Sequence, residues 1–542
     1  TRTHNFRISG EWKKGKKRHV MYLQDLKADA IWQRSDRGWR LRLRHIKANT
    51  GRRVLPLRRI EYSVNYNNKH VGWRKLSLDR FDLQDWSAVE SIIPSARVAG
   101  FPVSVLQRGR GHFSRIQMSS FSPLSWERIS ASFSSLYLPS YRRFPGVANL
   151  SGDLSFDGQG GWMNMDAVGA EILLTSQSKP IWLRHFAGRF FYRWKDHQMR
   201  YSLQDLDLSN DDMQLTGSVN MRKKKNATPM LDVGLFFHFN RLSKIKEYIP
   251  PCVFHRSLGQ WLSVAFKGGK LINGRIRYRG RWSRFPNGKG RDRLSVQASL
   301  RNLQLKFAPA WPVLMHARGQ LFFTGRSMSA VISAAQIDGN GLRHLVARIG
   351  DLTHKPTLNI AVQSFSGWKD GLRFIHDSPL LNVNDRLKKL SLRGKYRLGL
   401  KLKIPLSGPS HLHCRGDLLL QRDTLQPTGF SVVMDKVRGH LVFTTDTIHS
   451  DLLRARLFGR PVNMRLSTTS GAHRQAFLHV LISGAVSVQT LFHRVVSHFI
   501  SGILPYRVAL DLPLGDARFL LLNVSSSFRG VKVSRVPRYW LK

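Results

Sequence analysis

Apolar residues in this chain recur mostly at every second position. Tyr396, Leu398, Leu400, Leu402, Ile404 and Leu406 alternate with Lys395, Arg397, Lys401 and Lys403. That period puts the apolar set on one face of a strand and the cations on the other. The run spans roughly 35 Å at about 3.3 Å per residue, long for a globular strand. Leu294, Val296, Ala298 and Leu300 alternate with Ser295, Gln297 and Ser299. Leu303, Leu305 and Phe307 resume after a one-residue change of face, which predicts a bulge or turn. Gly319 to Thr324 adds another strand.

The same pattern fills the earlier chain. Trp39, Leu41 and Leu43 alternate with Arg40, Arg42 and Arg44. Leu76, Leu78, Phe81 and Leu83 predict a strand, and Trp86 to Ile93 a short helix broken at Pro94. Strands are expected around Leu150–Phe156, Gly188–Tyr192, Leu203–Leu208, Leu215–Val219 and Leu231–Phe239, with a hairpin turn at Arg222-Lys223-Lys224-Lys225-Asn226. Phe477–Ile482, Tyr506–Leu510 and Ala517–Val524 continue the pattern.

Three stretches change period. Leu258, Trp261, Leu262, Ala265 and Phe266 form one helical stripe over Ser257–Phe266, with Ser257 as cap and Gly268-Gly269 as stop. A second helix is expected around Trp368–Leu390. A third runs over Ser487–Ile500, with Val488, Leu491, Phe492, Val495, Val496 and Phe499 on one face and Gly502 as stop.

A repeat is also legible. Gly274-Arg275-Ile276-Arg277-Tyr278 is echoed by Gly394-Lys395-Tyr396-Arg397-Leu398. Gly319-Gln320-Leu321-Phe322-Phe323-Thr324 is echoed by Gly439-His440-Leu441-Val442-Phe443-Thr444, and Gly339 by Gly459. The register is the same each time. The expected organisation is an N-terminal β-rich segment (1–145), a β segment (146–244), two helix-plus-β repeat units (245–366 and 367–485) and the start of a third (486–542). Pattern alone leaves two architectures: closed sandwiches or barrels, or one long curved sheet whose apolar face lines a groove.

Composition narrows the chemistry. At 542 residues the chain exceeds one ordinary core. Lys and Arg number 87 against 34 Asp and Glu, a formal +53. The cations are spread along strands rather than gathered on one helix or face, and no nucleic-acid-binding motif occurs, so no nucleic-acid partner is expected. Cationic rims would attract anionic head groups. Cys252 and Cys414 form no disulfide framework. The His411-Leu412-His413-Cys414 run lacks a second cluster to complete a metal site, so no metal and no cofactor are expected. Asn287-Gly288-Lys289-Gly290 lacks phosphate-loop spacing and reads as a turn. No carboxylate pair or nucleophile motif is placed for catalysis, and the chain is not expected to be an enzyme. Gln475–His493 is long enough to cross a membrane, but His479, Ser483, Gly484, Ser487, Gln489 and Thr490 interrupt it, so no span is expected.

An ordered set of motifs adds a resemblance. Tyr248-Ile249-Pro250-Pro251, the Ser257–Phe266 helix, Gly274 to Gly280 with Phe285-Pro286, Leu303 to Pro312, Asp377-Ser378-Pro379-Leu380 and Leu402 to Gly408 resemble, in order and spacing, the YhdP family of AsmA-like envelope proteins, which groups with TamB and YdbH. The resemblance is densest over residues 245–470. It implies a mostly β fold: an elongated, twisted antiparallel β-sheet forming a groove with an apolar interior, with a few short amphipathic helices between repeat units. It implies phospholipid transport between the inner and outer membranes of a Gram-negative bacterium, in the periplasm, with a tether to the inner membrane. This chain lacks that anchor and the family's C-terminal region and is more basic than expected, so it reads as a monomeric central segment that meets the two membranes through parts outside it. A basic envelope scaffold or outer-membrane assembly factor of the same fold is the alternative, and a nucleic-acid-binding protein the third reading. The candidate groove lining is Leu294, Val296, Ala298, Leu300, Leu321, Phe323, Tyr396, Leu398, Leu400, Leu402, Ile404, Leu441 and Phe443.

Overall fold

A computed structural model describes residues 6–14, 17–49, 54–55, 58–67, 70–85, 108–121, 127–141, 145–175, 179–249, 256–285, 292–308, 311–352, 354–378, 390–406, 412–427, 432–470, 476–491, 500–513 and 521–534. The protein is mostly β, and its strands pair antiparallel. The chain divides into two compact units. The first comprises Thr1–Val253 and Ile272–Val296, the second Phe254–Leu271 and Gln297–Lys542.

The first unit is a meander in which each long strand pairs with the next, from Phe6–Lys14 to Met230–Phe239. Two-residue turns, such as the one between Lys17–Ser35 and Gly38–Asn49, set the register. Strands this long keep one face apolar only if they bulge where twist would rotate them off the face. Residues with positive φ mark such places. Inward residues step from Leu43 to Ile46 across His45, from Phe113 to Ile116 across Arg115, from Phe133 to Leu136 across Ser135, and from Leu203 to Leu206 across Asp205. The edge strand Phe6–Lys14 pairs with Lys17–Ser35 alone among the described residues, so the sheet is open there.

The second unit repeats the plan. Its strands pair in succession from Leu314–Thr324 to Leu521–Ser526. The echo at 120 residues is carried by whole elements. Leu314–Thr324 recurs as Met434–Thr444, and Thr357–Gly367 ends 120 residues before Ala476–Ser487 does. Asn302, with φ 49°, is the change of face expected between Leu300 and Leu303.

The helices are shorter than the periodicity suggests. Helix α1 is Arg256–Ala265, α2 is Trp368–His376 and α3 is Val488–Leu491. Three expectations are corrected. Gly268 and Gly269 do not stop α1. The helix ends at Ala265, and both glycines lie inside the strand Phe266–Arg281. Gly269 has φ +116°, and a Cβ there would sit 2.8 Å from the Leu303 Cα, so it is close backbone approach that requires glycine. Ser487 closes a strand and Ile500 opens one, which cuts the third helix at both ends. Leu390 opens a strand, so α2 does not reach it. The expected helix at Trp86–Ile93, residues 379–389 and 492–499, and the Asn287–Gly290 turn lie outside the described residues.

α2 is fastened by buried polar contacts. The Trp368 indole N–H donates to Asp423 Oδ1 at 3.0 Å, and the Gln421 N–H donates to Asp423 Oδ2 at 2.7 Å. Gly394, at φ +127°, leaves room for that carboxylate, since a Cβ there would lie 2.2 Å from Asp423 Oδ1.

Candidate functional site

Hydrogen-bond register decides which residues of neighbouring strands stand side by side on a face. In the second unit it aligns the candidate lining residues into rows. Leu321, Ala330, Ala347, Ile360, Leu402 and Cys414 follow one another across six strands. Phe323, Met328, Ile349, Leu358 and Ile404 form the parallel row beside them. Leu398 meets Leu441 through Leu418, and Leu400 meets Phe443 through Gly416. Gly416 has a packing reason to be glycine, because a Cβ there would lie 2.1 Å from the Phe443 ring. A further row runs Tyr396, Leu420, Gly439, Leu453, Met464, Ile482 and Val508.

Exposure follows the same order. Ala298, Leu300, Tyr396, Leu400, Leu402 and Ile404 are buried, while Leu294, Val296, Leu321, Phe323, Leu398, Leu441 and Phe443 are half-buried. Lys395, Arg397, Lys401 and Lys403 are exposed. Tyr396 lies beneath α2, its ring centroid 4.8 Å from that of Trp368. Leu294 and Val296 belong to the first unit, where Leu294 packs against a cluster of Leu231, Val233 and Tyr278.

The first unit carries a longer row, one that sequence reasoning missed. Trp32, Leu41, Tyr62, Leu76, Met118, Ile129, Phe156, Gly161, Tyr192, Tyr201, Met221 and Leu231 stand in register across twelve strands. At about 4.8 Å per strand it extends roughly 50 Å. The Phe156 ring lies over Gly161, where a Cβ would be 2.3 Å from it. Trp32 stacks on Trp39 with centroids 4.7 Å apart, and the Trp39 indole N–H donates to the Tyr66 hydroxyl at 3.1 Å. The Tyr192 and Tyr201 rings lie 5.5 Å apart. Burial pushes both hydroxyls up, and Tyr192 adds to the rise at Tyr201. The sequence showed Trp39, Leu41 and Leu43 as one alternation. A row across strands needs the register, and local periodicity does not contain it.

The opposite faces are polar and charged. Arg40, Arg42 and Arg59 converge on Glu61 at 3.4, 3.3 and 3.1 Å. Arg115 reaches Asp153 at 3.3 Å, and Arg189 pairs with Asp205. Such exposed pairs each contribute under about 1 kcal/mol. Over the whole chain 87 cations stand against 34 acids, so the cations outnumber their possible acidic partners by more than two to one. His413 is exposed and Cys414 buried, while His411 lies outside the described residues. Among the described residues no group of three or more His, Cys, Asp or Glu could hold a metal ion, and no helix is long and apolar enough to cross a membrane. The part of Gln475–His493 that is described is the strand Ala476–Ser487 leading into α3. A cleft of about 550 Å³ has a mixed lining, with Lys306, His316 and Asp338 beside Trp311, Pro312 and Met315.

A continuous apolar face can bind and guide hydrocarbon. Comparison with known proteins identifies a family. The family model described as YhdP protein matches residues 7–538. The chain is similar to the intermembrane phospholipid transporter YhdP of Escherichia coli (strain K12), with 24% identity over 416 residues, 76% of this chain and 32% of that protein. It therefore spans about a third of the length of that relative. No solved structure matches it.

Proposed function

The chain belongs to the YhdP family, and from that premise we propose that its apolar rows form a groove wall along which phospholipids move between the inner and outer membranes of a Gram-negative envelope. On this reading the thirteen residues from Leu294 to Phe443 named above are groove lining, and residues 245–366 and 367–485 are two copies of one building block. The partners are phospholipids, and the work is done in the periplasm.

The observation that carries the reading is the unbroken row from Trp32 to Leu231, together with its counterparts at Leu321 and Phe323. Burying a methylene is worth about 0.8 kcal/mol, so an acyl tail of some sixteen carbons costs on the order of 12 kcal/mol to bring into water. A carrier has to offer apolar surface at every step or the lipid meets that barrier. Rows that run from strand to strand at ~4.8 Å intervals keep each step small against the length of a tail. Movement along such a face breaks no covalent bond.

Photo-crosslinking amino acids at Leu321, Leu400 and Phe443, with outward controls at Arg397 and Lys401, test the proposal in cells. Phospholipid adducts at the three inward positions and not at the controls are the expected result. Adducts at none of the three, or equal adducts at the controls, overturn it. Transport should follow the same division: Leu400→Asp impairs it and Arg397→Asp does not.

A further inference from the structure

One patch on the outward face of the first unit gathers cations without acids. Tyr192, Tyr201 and Met221 belong to the inward row, so the residues next to them in sequence point the other way. There Arg193 stands directly opposite Arg200, and Arg200 directly opposite Arg222. Lys195 and Lys224 flank Gln198 one step nearer the turns. All five cations are exposed. Their backbone positions lie on three adjacent strands, within about 10 Å across the strands and about 7 Å along them. Elsewhere on the outward face arginines meet acids, as Arg40, Arg42 and Arg59 do at Glu61. Among the described residues none of these five is within ion-pair reach of a carboxylate. Asp205 is taken by Arg189, and Asp232 lies 3.8 Å from Arg279. Asp196, exposed at the turn after Lys195, offsets one of the five charges.

Like charges directly opposite one another destabilise a pair of strands. Three arginines in one row therefore call for anions that the neighbouring strands do not supply. The planar guanidinium matches phosphate, with two hydrogen bonds at a time. Apolar side chains border the row and stand partly in water. Trp162, which pairs with Phe191 one row further along the strands, is 38% exposed, and Met230, which follows Arg222 in register, is 41% exposed. A soluble polyanion would be held by the charge. A bilayer surface also takes up the apolar groups, because tryptophan has an apolar body with one hydrogen-bonding group and settles at the level of the head groups. We propose that this patch docks on an anionic phospholipid bilayer, with Arg193, Arg200 and Arg222 at the phosphates and Trp162 and Met230 among the head groups beside them. The apolar rows lie on the other face of the same strands, so the contact does not rest on the lipid-carrying function proposed above.

The test is sedimentation of the purified chain with vesicles of phosphatidylcholine alone and of phosphatidylcholine mixed with phosphatidylglycerol. The chain should bind the anionic vesicles, and added salt should release it. Arg193→Gln, Arg200→Gln and Arg222→Gln together should weaken binding on the order of a hundredfold, at roughly a fivefold effect per charge near an anionic membrane. The thermal unfolding midpoint of that variant should not fall, since the three side chains are exposed and oppose one another. Lys395→Gln, Lys401→Gln and Lys403→Gln remove the same charge from the outward face of the second unit and should change binding far less. Equal losses in the two triple variants would mean that overall charge, not this patch, holds the membrane, and would overturn the proposal. Binding that is as strong on neutral vesicles, or that survives high salt, would place the contact on the apolar rows and overturn it too. Trp162→Ala should weaken vesicle binding several-fold and leave binding to heparin unchanged. Tight heparin binding with no vesicle binding would assign the patch to a soluble polyanion instead.

Discussion

The Tyr396 hydroxyl donates to Asn340 Oδ1 at 2.9 Å, and both side chains are buried. Asn340 Nδ2 in turn donates to the Asp370 carbonyl in α2 at 2.8 Å and to the Ile337 carbonyl at 3.1 Å. One asparagine thus ties the helix to the sheet, and the tyrosine completes it. Tyr396→Phe leaves Asn340 Oδ1 without its buried partner, an expected loss of about 1–3 kcal/mol in urea unfolding. Burial, with Asp370 nearby, pushes the Tyr396 hydroxyl up to about 12, above the ordinary 10.0. A raised value favours the protonated folded state. Its stabilisation is full below the ordinary value and is lost as pH rises through the folded one. Unfolding experiments should show this alkaline loss in the parent chain and a smaller one in Tyr396→Phe.

Two glycines in the same stretch should behave oppositely. Gly269 has φ +116° and faces the Leu303 Cα, so Gly269→Ala combines a backbone conformation that alanine avoids with a clash at 2.8 Å. A loss of about 1–3 kcal/mol is expected. Gly259 lies inside α1 with open space where a Cβ would go. Gly259→Ala should stabilise by roughly 0.5–1 kcal/mol through helix propensity. Denaturant titrations of the two variants check both signs, and equal effects would contradict the local geometry.

Much of the fold was legible because a strand with one wet face writes its own period. The alternation at Tyr396–Leu406 separated the exposed cations from apolar residues that are buried or half-buried, and the change of face between Leu300 and Leu303 located the bulge at Asn302. Glycine pairs were less legible. Gly268-Gly269 carries a helix-stop signal, yet the positive φ there serves a close strand approach, which depends on a partner 34 positions away. Helix lengths were overestimated for a related reason: apolar residues near Ile500 fit a helical stripe and a strand face equally well, and pairing with Val531–Val533 and Ala476–Ser487 decides for the strand. The aromatic row in the first unit was invisible because its members lie on different strands. Only the register brings Tyr62 beside Leu76, and Tyr192 beside Tyr201.

Cys414 provides a probe of the apolar row it ends. Burial alone pushes its thiol up to about 12. The thiolate is the reactive species, and an ordinary thiol near 8.5 is substantially ionised at pH 8. The native fraction ionised there is about 10⁻⁴, so alkylation should run roughly a thousandfold slower than in the unfolded chain. With Cys252→Ser as background, iodoacetamide labelling at pH 8 should be slow in buffer and fast in denaturant. Fast native labelling would mean that the strand His413–Pro427 opens readily at its first residues.

Asp212 makes one part of the first unit's stability depend on acid. Its carboxylate accepts hydrogen bonds from Arg241 Nε and, at 2.9 Å, from the Tyr248 hydroxyl, with Lys244 Nζ 3.4 Å away. Burial alone would raise the carboxyl. The bonds from Tyr248 and Arg241 and the charges of Lys244 and Arg241 outweigh it, and the net result is below the ordinary 3.8. A depressed folded value means that the unfolded chain takes up the proton first as pH falls. The stabilisation is therefore complete above the ordinary carboxylate value and is lost as pH drops through the folded one. Asp212→Asn keeps the shape, removes the charge and leaves Arg241 and Lys244 without their shared partner. It should cost about 1–3 kcal/mol at pH 7. It should also flatten the dependence of stability on pH below about 4. Urea midpoints measured from pH 7 down to pH 2 check this. Parallel acid limbs in the two proteins would place the acid sensitivity on other carboxylates.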